Sequence, residues 1–186
     1  MKYLGKKFKP VLILLALIWV VEIVNILTGH SLSNWGILPR TMSGLMGIPL
    51  SPFIHGSLWH AISNTVPLLV LGSLLLTSGH KRFWMTTIGI VLFSGLLVWL
   101  FARGSYHIGA SGLVFGYFGA LITRAVIMRS FPSMIIALVT VLLYGGILWG
   151  LIPLRSYVSF EGHFFGLLAG IIYTWMTTRK PFEKSN

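Results

Sequence analysis

The chain has 186 residues, of which 55% are hydrophobic and only 9% are charged, and its mean hydropathy is +0.87. Soluble domains carry roughly 25% charged residues, so this composition is that of a membrane protein and leaves little chain for a soluble domain. The net charge is +11. There is no cysteine, which excludes a disulfide, a thiolate nucleophile and a cysteine-based metal site.

Six apolar segments are long enough to cross a bilayer, which takes about 20 mainly apolar residues in a helix. The predicted spans are 10–28, 58–77, 83–102, 110–127, 133–152 and 162–178. The sequence therefore predicts an all-α polytopic membrane protein with a single membrane domain over residues 1–186. The first segment follows a basic stretch, as in a signal peptide, but its length, Glu22 and the lack of a clear cleavage site predict a retained helix.

The basic residues are distributed unevenly between the two ends of these spans. Those at one end are Lys2, Lys6, Lys7, Lys9, Lys81, Arg82, Arg124, Arg129, Arg179, Lys180 and Lys184. Those at the other end are Arg40, Arg103 and Arg155. By the positive-inside rule, this asymmetry predicts that both termini are cytoplasmic, and it indicates membrane topology rather than a nucleic-acid partner.

One long connection, residues 29–57, joins the first two spans on the predicted outer side. It mixes apolar residues with glycine and proline, so we expect it to lie partly in the membrane interface. We expect Glu22 to accept hydrogen bonds from this loop rather than take part in chemistry. The remaining histidines, His30, His80 and His107, are expected to be ordinary loop residues at the membrane surface.

Polar side chains inside a span are costly, so each is a candidate for function. Such residues lie in the first turns of the second, fourth and sixth spans, all of which run from outside to inside: His60, Asn64, Ser111 and His163. At a rise of 1.5 Å per residue, we expect all of them roughly 5–10 Å below the outer surface. The sequence thus predicts one polar cluster in the outer leaflet.

Glycines at helical spacing predict how two of these spans pack. They are Gly112, Gly116 and Gly119 in the fourth span and Gly166 and Gly170, which follow His163 on one face of the sixth. Such smooth faces let two helix backbones approach closely. Packing one glycine face against the other would bring His163 beside Ser111, while His60 and Asn64 project from one face of the second span.

A serine within reach of a histidine can act as a nucleophile, because the imidazole takes the hydroxyl proton as attack begins. Acyl transfer also needs hydrogen-bond donors where the oxyanion forms, and His60, the Asn64 amide and the backbone N–H of Ser111 are candidates. Glu161 lies two residues before His163 and points away from it on a helix. A Ser–His dyad is therefore favoured over a triad.

Three motifs together resemble those of rhomboid intramembrane serine proteases. Residues 109–112, GASG, are similar to the family's GxSG; residues 162–170 resemble GHxxGxxxG; and residues 55–64 resemble HxxxxHxxxN. A GxSG motif alone is weak, but here the three occur in the family's order on the expected spans. The resemblance extends over residues 10–178.

The resemblance implies a six-transmembrane-helix rhomboid-like bundle in which Ser111 is the nucleophile and His163 the general base. His60, Asn64 and the Ser111 N–H would form the oxyanion hole. Supporting roles are implied for His55, Gly109, Gly112, Phe115, Gly166 and Gly170. The family's tyrosine one turn after the nucleophile is replaced here by Phe115, and the Trp-Arg pair of its first loop is absent, with Arg40 following Pro39 instead.

The resemblance also implies the substrate. Single-span membrane proteins would enter laterally past the fifth and second spans and be cut near the outer face, with small residues favoured at the cut. The loop before the sixth span would cap the site, and water would be the co-substrate. No cofactor, metal or nucleic acid is expected; the partners are transmembrane substrates and the lipid bilayer of a cell (inner or plasma) membrane.

Other interpretations of these residues remain. Ser111 could be a small residue at a helix contact, His163 a packing histidine, and the His60–Asn64 pair a link between helices. The corresponding functions are a catalytically silent protein that binds transmembrane segments, a membrane haem or metal protein using His60 and His163, and a small transporter. The retained serine and histidine, the missing cysteine and the lack of an inverted repeat favour the protease.

Overall fold

The computed structural model describes residues 2–152 and 159–178, with side chains from residue 7 onward. Within those ranges the chain is helical, without a β-strand. Its α-helices are α1 (Lys2–Leu27), α2 (Met42–Leu50), α3 (Leu58–Leu76), α4 (His80–Phe101), α5 (Ser111–Met128), α6 (Phe131–Tyr144) and α7 (Phe160–Thr177). The predicted all-α polytopic membrane fold is confirmed.

Most of the predicted spans are long and apolar enough to cross a membrane. In the described residues these are Lys7–Leu27, Leu58–Leu76, His80–Phe101, Ser111–Met128 and Phe131–Leu151. The sixth predicted span is present as α7, which has 18 residues, the same length as α5. Its hydropathy is lower because it carries Glu161 and His163, and both of these side chains are buried against the rest of the bundle.

Two predicted segments differ from the structure. The fifth span, 133–152, is not one α-helix: α6 ends at Tyr144 and the chain continues as a 3₁₀-helix over Gly145–Leu151. The Gly145–Gly146 pair explains the change, because glycine is a poor helix former. The long loop 29–57 is more ordered than expected, since it contains α2 and short 3₁₀-helices at Ser31–Trp35 and Ser51–Phe53.

Helix α5 lies in the centre of the bundle. It is buried over most of its length, whereas α1, α3, α4 and α6 each expose apolar side chains to the surroundings. Apolar residues of α1, α3 and α4, among them Val11, Leu71 and Phe83, pack with Tyr117 of α5 in the main core. The apolar outer surface is the one expected of a bundle surrounded by lipid.

Glycines allow α5 and α7 to lie in backbone contact. A methyl group on Gly166 would overlap the carbonyl oxygen of Gly112, and one on Gly170 would overlap that of Gly116. This is the packing that the glycine spacing predicts. Because the two helices are so close, the first turns that carry Ser111 and His163 are brought together.

Helix α1 is tied to the segment before α3 by buried polar groups. The Glu22 carboxylate accepts a hydrogen bond from the His55 N–H at 3.1 Å, and the Asn25 amide donates to the His55 carbonyl at 2.8 Å. Both Glu22 and Asn25 are fully buried. Glu22 thus accepts a hydrogen bond from the long loop, the structural role expected for it.

Candidate active site

Ser111 is placed by the turn that precedes α5. Gly109 has φ +111°, in the left-handed region that favours glycine, and a side chain there would overlap the His60 ring. The Gly109 N–H donates to the Ser51 carbonyl at 2.8 Å, and the Ala110 N–H donates to His55 Nε2 at 3.2 Å. Ser111 follows as the first residue of α5, where backbone N–H groups have no acceptor within the helix.

His163 lies one turn into α7, and its imidazole is held by two contacts. Nδ1 is 2.8 Å from the Gly150 carbonyl oxygen. Because a carbonyl can only accept, Nδ1 carries the proton and Nε2 of the neutral ring has a free lone pair. The ring also stacks on Phe115, with centroids 4.3 Å apart. The imidazole is therefore fixed in both tautomer and plane.

The predicted site residues meet at one cavity of about 930 Å³. Its walls include His60, Asn64, Ser111, Phe115 and His163. Asn64 is only 6% exposed, and its Nδ2 has no hydrogen-bond partner among the described residues. A buried donor without an acceptor is costly, which makes this amide available to a group that enters the cavity.

His55 lies behind the cavity rather than in its wall. It is fully buried, and its ring meets that of His60 edge-on with centroids 4.9 Å apart. Burial, and secondly the charge of His60, lower the pKa of His55 to about 3. A neutral His55 is consistent with Nε2 accepting the hydrogen bond from Ala110.

The expectation that His107 is an ordinary surface residue is wrong. It is 4% exposed, and burial lowers its pKa. Its Nε2 is 3.0 Å from the Arg103 carbonyl oxygen and its Nδ1 is 2.6 Å from Ser159 Oγ. The sequence signal for it is a histidine four residues before Ser111, next to the nucleophile motif.

Two further residues near His163 have contacts that the sequence does not predict. Gly150 acts through its backbone carbonyl, which leaves no side-chain signal in the sequence. Glu161 is buried and pairs with Arg103 across 3.3 Å. Some predicted features lie outside the described residues. These are the cap before the last span, including Arg155, and three basic residues near the C-terminus: Arg179, Lys180 and Lys184.

These features define a multi-pass helical membrane protein with a serine and a histidine at one cavity. Residues 42–180 match the family model described as Rhomboid domain, and the chain belongs to the rhomboid family. Most members of this family are serine proteases that act on transmembrane substrates in the bilayer, and some are inactive.

Several known proteins are similar over most of this chain. An uncharacterized protein of Mycobacterium tuberculosis is 37% identical over 175 residues, which cover 89% of this chain and 73% of that protein. A protein of Acanthamoeba polyphaga mimivirus named as a rhomboid protein is 26% identical over 72% of this chain and 76% of its own length. RHOMBOID-like protein 4 of Arabidopsis thaliana is 27% identical over 69% of this chain and 33% of its own length.

Proposed function

We propose that this protein is an intramembrane serine endopeptidase that cleaves single-span membrane proteins with Ser111 as nucleophile and His163 as general base. The observation that carries the proposal is the hydrogen bond between His163 Nδ1 and the Gly150 carbonyl, at the cavity that Ser111 also lines. This bond leaves Nε2 as the basic nitrogen. A backbone carbonyl thus takes the orienting part that a carboxylate has in a triad.

In the first half of the reaction, Ser111 Oγ attacks the carbonyl carbon of the scissile peptide while His163 Nε2 takes the hydroxyl proton. The resulting oxyanion is stabilised by the Ser111 N–H, by His60 and by Asn64 Nδ2, which has no hydrogen-bond partner among the described residues. When the intermediate collapses, the C–N bond breaks and the His163 imidazolium gives its proton to the leaving amine. The new amino terminus departs and an acyl-enzyme ester on Ser111 remains.

Water completes the reaction. His163 Nε2 deprotonates a water molecule as the water oxygen attacks the ester carbonyl, and the same donors hold the second oxyanion. When this intermediate collapses, the ester C–O bond breaks, the proton returns to Ser111 Oγ, and the new carboxyl terminus departs. A cavity of about 930 Å³ with polar groups in its wall can hold this water below an apolar surface. The cavity would therefore supply water to Ser111 and His163 inside a bundle that is surrounded by lipid.

Lateral entry of the substrate is supported by the walls of the cavity. Residues of two neighbouring helical segments line the cavity: Trp59, Ser63 and Pro67 of α3, and Gly146 and Ile147 after α6. In α6 itself, Ser133 and Thr140 are the buried residues. A transmembrane segment would pass between α3 and the weakly packed α6, which requires little of the core to move.

The proposal includes the setting of the enzyme. Residues 1–186 form a single rhomboid-like domain in a cell membrane, with both termini cytoplasmic and the cavity toward the outer face. Basic residues support this orientation, because Arg82 and Arg124 lie at the end of the bundle opposite Ser111. Substrates would then be cut near their outer end.

The test combines covalent labelling with cleavage. Detergent-solubilised protein is incubated with a fluorescent serine-reactive phosphonate and, separately, with a single-span model substrate. Labelling and cleavage are expected in the wild type and lost in Ser111→Ala and His163→Ala. Ser105→Ala and His80→Ala, which change exposed residues outside the cavity, are the matched controls and should retain both.

A folded wild-type protein that neither labels nor cuts would contradict the proposal. Retained capture of a transmembrane segment by such a protein would favour the catalytically silent binding protein instead. Labelling that survives Ser111→Ala would show that another residue is the nucleophile.

A further inference from the structure

The loop before α5 is joined to the start of α7 by a chain of hydrogen bonds through two side chains. Ser159 caps α7 by accepting the Gly162 N–H at 3.0 Å, and the same hydroxyl lies 2.6 Å from His107 Nδ1. His107 Nε2 in turn lies 3.0 Å from the Arg103 carbonyl. His107 and Ser159 therefore connect the two elements whose first turns carry the proposed nucleophile and base.

For a neutral His107 ring, one arrangement of protons satisfies all these contacts. The Arg103 carbonyl can only accept, so His107 Nε2 carries the ring proton and Nδ1 has a free lone pair. Ser159 then donates its hydroxyl proton to Nδ1, and its oxygen still accepts the Gly162 N–H. The burial of His107 favours the neutral ring that this chain of bonds requires.

The connection reaches the proposed base through the backbone. The His163 N–H donates to the Ser159 carbonyl at 3.2 Å, so Ser159 defines the helical turn from which the imidazole projects. A second link joins the same two elements, since Arg103 Nε is 3.3 Å from the Glu161 carboxylate. The Arg103 side chain is 40% exposed, so this ion pair is screened and contributes less than the buried hydrogen bonds.

We propose that His107 is a positioning residue: by holding Ser159, it fixes the first turn of α7 and so keeps the His163 imidazole aligned with Ser111. The inference rests on the proposed protease function. In this role His107 neither contacts the substrate nor transfers a proton. Misplacement of a catalytic group by about 1 Å can cost up to about 100-fold in rate, which sets the size of the effect to look for.

Two substitutions separate the contacts of His107. In His107→Asn, the amide oxygen can take the place of Nδ1 and still accept from Ser159. In His107→Gln, the amide nitrogen can take the place of Nε2 and donate to Arg103, but the contact with Ser159 is lost. His80→Gln makes the same substitution at an exposed histidine at the other end of the bundle and is the control.

The measurements are kcat and KM with a single-span substrate and the rate of phosphonate labelling of Ser111. His107→Gln is expected to lower kcat and the labelling rate by roughly 10- to 100-fold with little change in KM. His107→Asn and His80→Gln should stay close to wild type. Ser159→Ala also removes the cap of α7, so it should lower kcat at least as much as His107→Gln. The double variant should lose no more than Ser159→Ala, because the His107 contact acts through Ser159.

Hydrogen–deuterium exchange provides a readout that does not depend on catalysis. The amides of Gly162 and His163 should exchange faster in His107→Gln than in wild type or His107→Asn. Unchanged exchange, or a wild-type kcat and labelling rate in His107→Gln, would overturn the inference. The inference would also be overturned if His107→Asn and His107→Gln lost equal amounts of kcat and both recovered at lower temperature. Such a result would indicate only that both variants have reduced folding stability.

The wild-type protein distinguishes failure of this inference from failure of the proposed protease function. If the proposed function fails, the wild type neither labels nor cleaves, and the catalytic role of His107 falls with it. If the wild type is active and the Gln variant matches it, only the inference about His107 fails.

Discussion

The imidazole of His163 is stacked on the phenyl ring of Phe115, with ring centroids 4.3 Å apart and ring planes within 8° of parallel. Phe115 lies one turn after Ser111 on α5, so the helix that carries the proposed nucleophile also sets the plane of the proposed base. The Gly150 carbonyl fixes the rotation of the same ring through Nδ1. Together these contacts can orient the imidazole without a carboxylate.

The first prediction is that loss of the stacked ring impairs catalysis. Phe115→Leu should lower the rate of phosphonate labelling by roughly 10- to 100-fold, because the imidazole can tilt away from Ser111. Phe115→Tyr keeps the ring and should label at close to the wild-type rate. Phe118→Leu alters a phenylalanine of similar burial on the same helix outside the cavity wall, and it should label normally. Equal losses at both positions would indicate a packing effect only.

The second prediction separates catalysis from stability at Asn64. Asn64→Leu removes a proposed oxyanion donor and should lower kcat by about 10²–10³-fold. Its thermal stability in detergent should be unchanged or higher, because the variant removes a buried amide donor that has no partner among the described residues. A loss of stability with normal kcat would instead identify Asn64 as a link between helices.

The sequence predicts the parts of this fold that depend on side-chain pattern. Apolar length places the spans, and the glycine spacing predicts the contact of α5 with α7. The hydropathy pattern does not predict the end of α6 at Tyr144, because the predominantly apolar run 133–152 continues past the Gly145–Gly146 pair. The hydropathy pattern also cannot show the short helix α2 within the loop, since apolar residues there alternate with glycine and proline.

At the candidate site, too, the sequence predicts what depends on side-chain pattern and does not predict what depends on the fold. Helical spacing predicts a shared depth for four polar side chains, those of His60, Asn64, Ser111 and His163. Gly150 could not be found, because its contribution is a backbone carbonyl whose position depends on how the chain folds after α6. The sequence wrongly predicts a surface position for His107, since a loop position near a span end gives no sign that the histidine is buried under neighbouring elements.

The third prediction concerns the contact of α5 with α7. Gly166→Ala adds a methyl group that would overlap the Gly112 carbonyl oxygen, so the helices must separate. Overpacking of this kind costs about 1–3 kcal/mol and should lower both the unfolding temperature and the labelling rate of Ser111. Gly104→Ala is the matched control, because a methyl group there meets no atom of the described residues within 4 Å. A wild-type unfolding temperature in Gly166→Ala would contradict the close contact.

The fourth prediction tests the orientation. The natural chain lacks cysteine, so a single introduced thiol is the only one that a maleimide can label. Ser105→Cys and Ser130→Cys are near-isosteric changes at exposed positions beyond opposite ends of α5. In intact spheroplasts, a membrane-impermeant maleimide should label the thiol at position 105 and should label the one at 130 only after lysis. The reverse pattern would place the cavity toward the cytoplasm.

The fifth prediction is an acid sensitivity that originates at His55. Its pKa is lowered to about 3 by burial and by the charge of His60, whereas an unperturbed histidine has a pKa of about 6.5. Between these values the unfolded chain binds a proton that the folded protein does not, so stability falls as the pH drops from about 6.5 toward 3. The slope from one such group is at most about 1.4 kcal/mol per pH unit.

Replacement of His55 should remove part of this slope. In His55→Gln the amide oxygen can still accept the Ala110 N–H, so the turn before Ser111 has an acceptor and no proton is taken up on unfolding. Thermal unfolding in detergent between pH 7 and pH 4 should therefore show a flatter pH dependence than wild type. A residual slope is expected because burial also lowers the pKa of His107. An unchanged slope in His55→Gln would show that His55 does not carry the acid sensitivity.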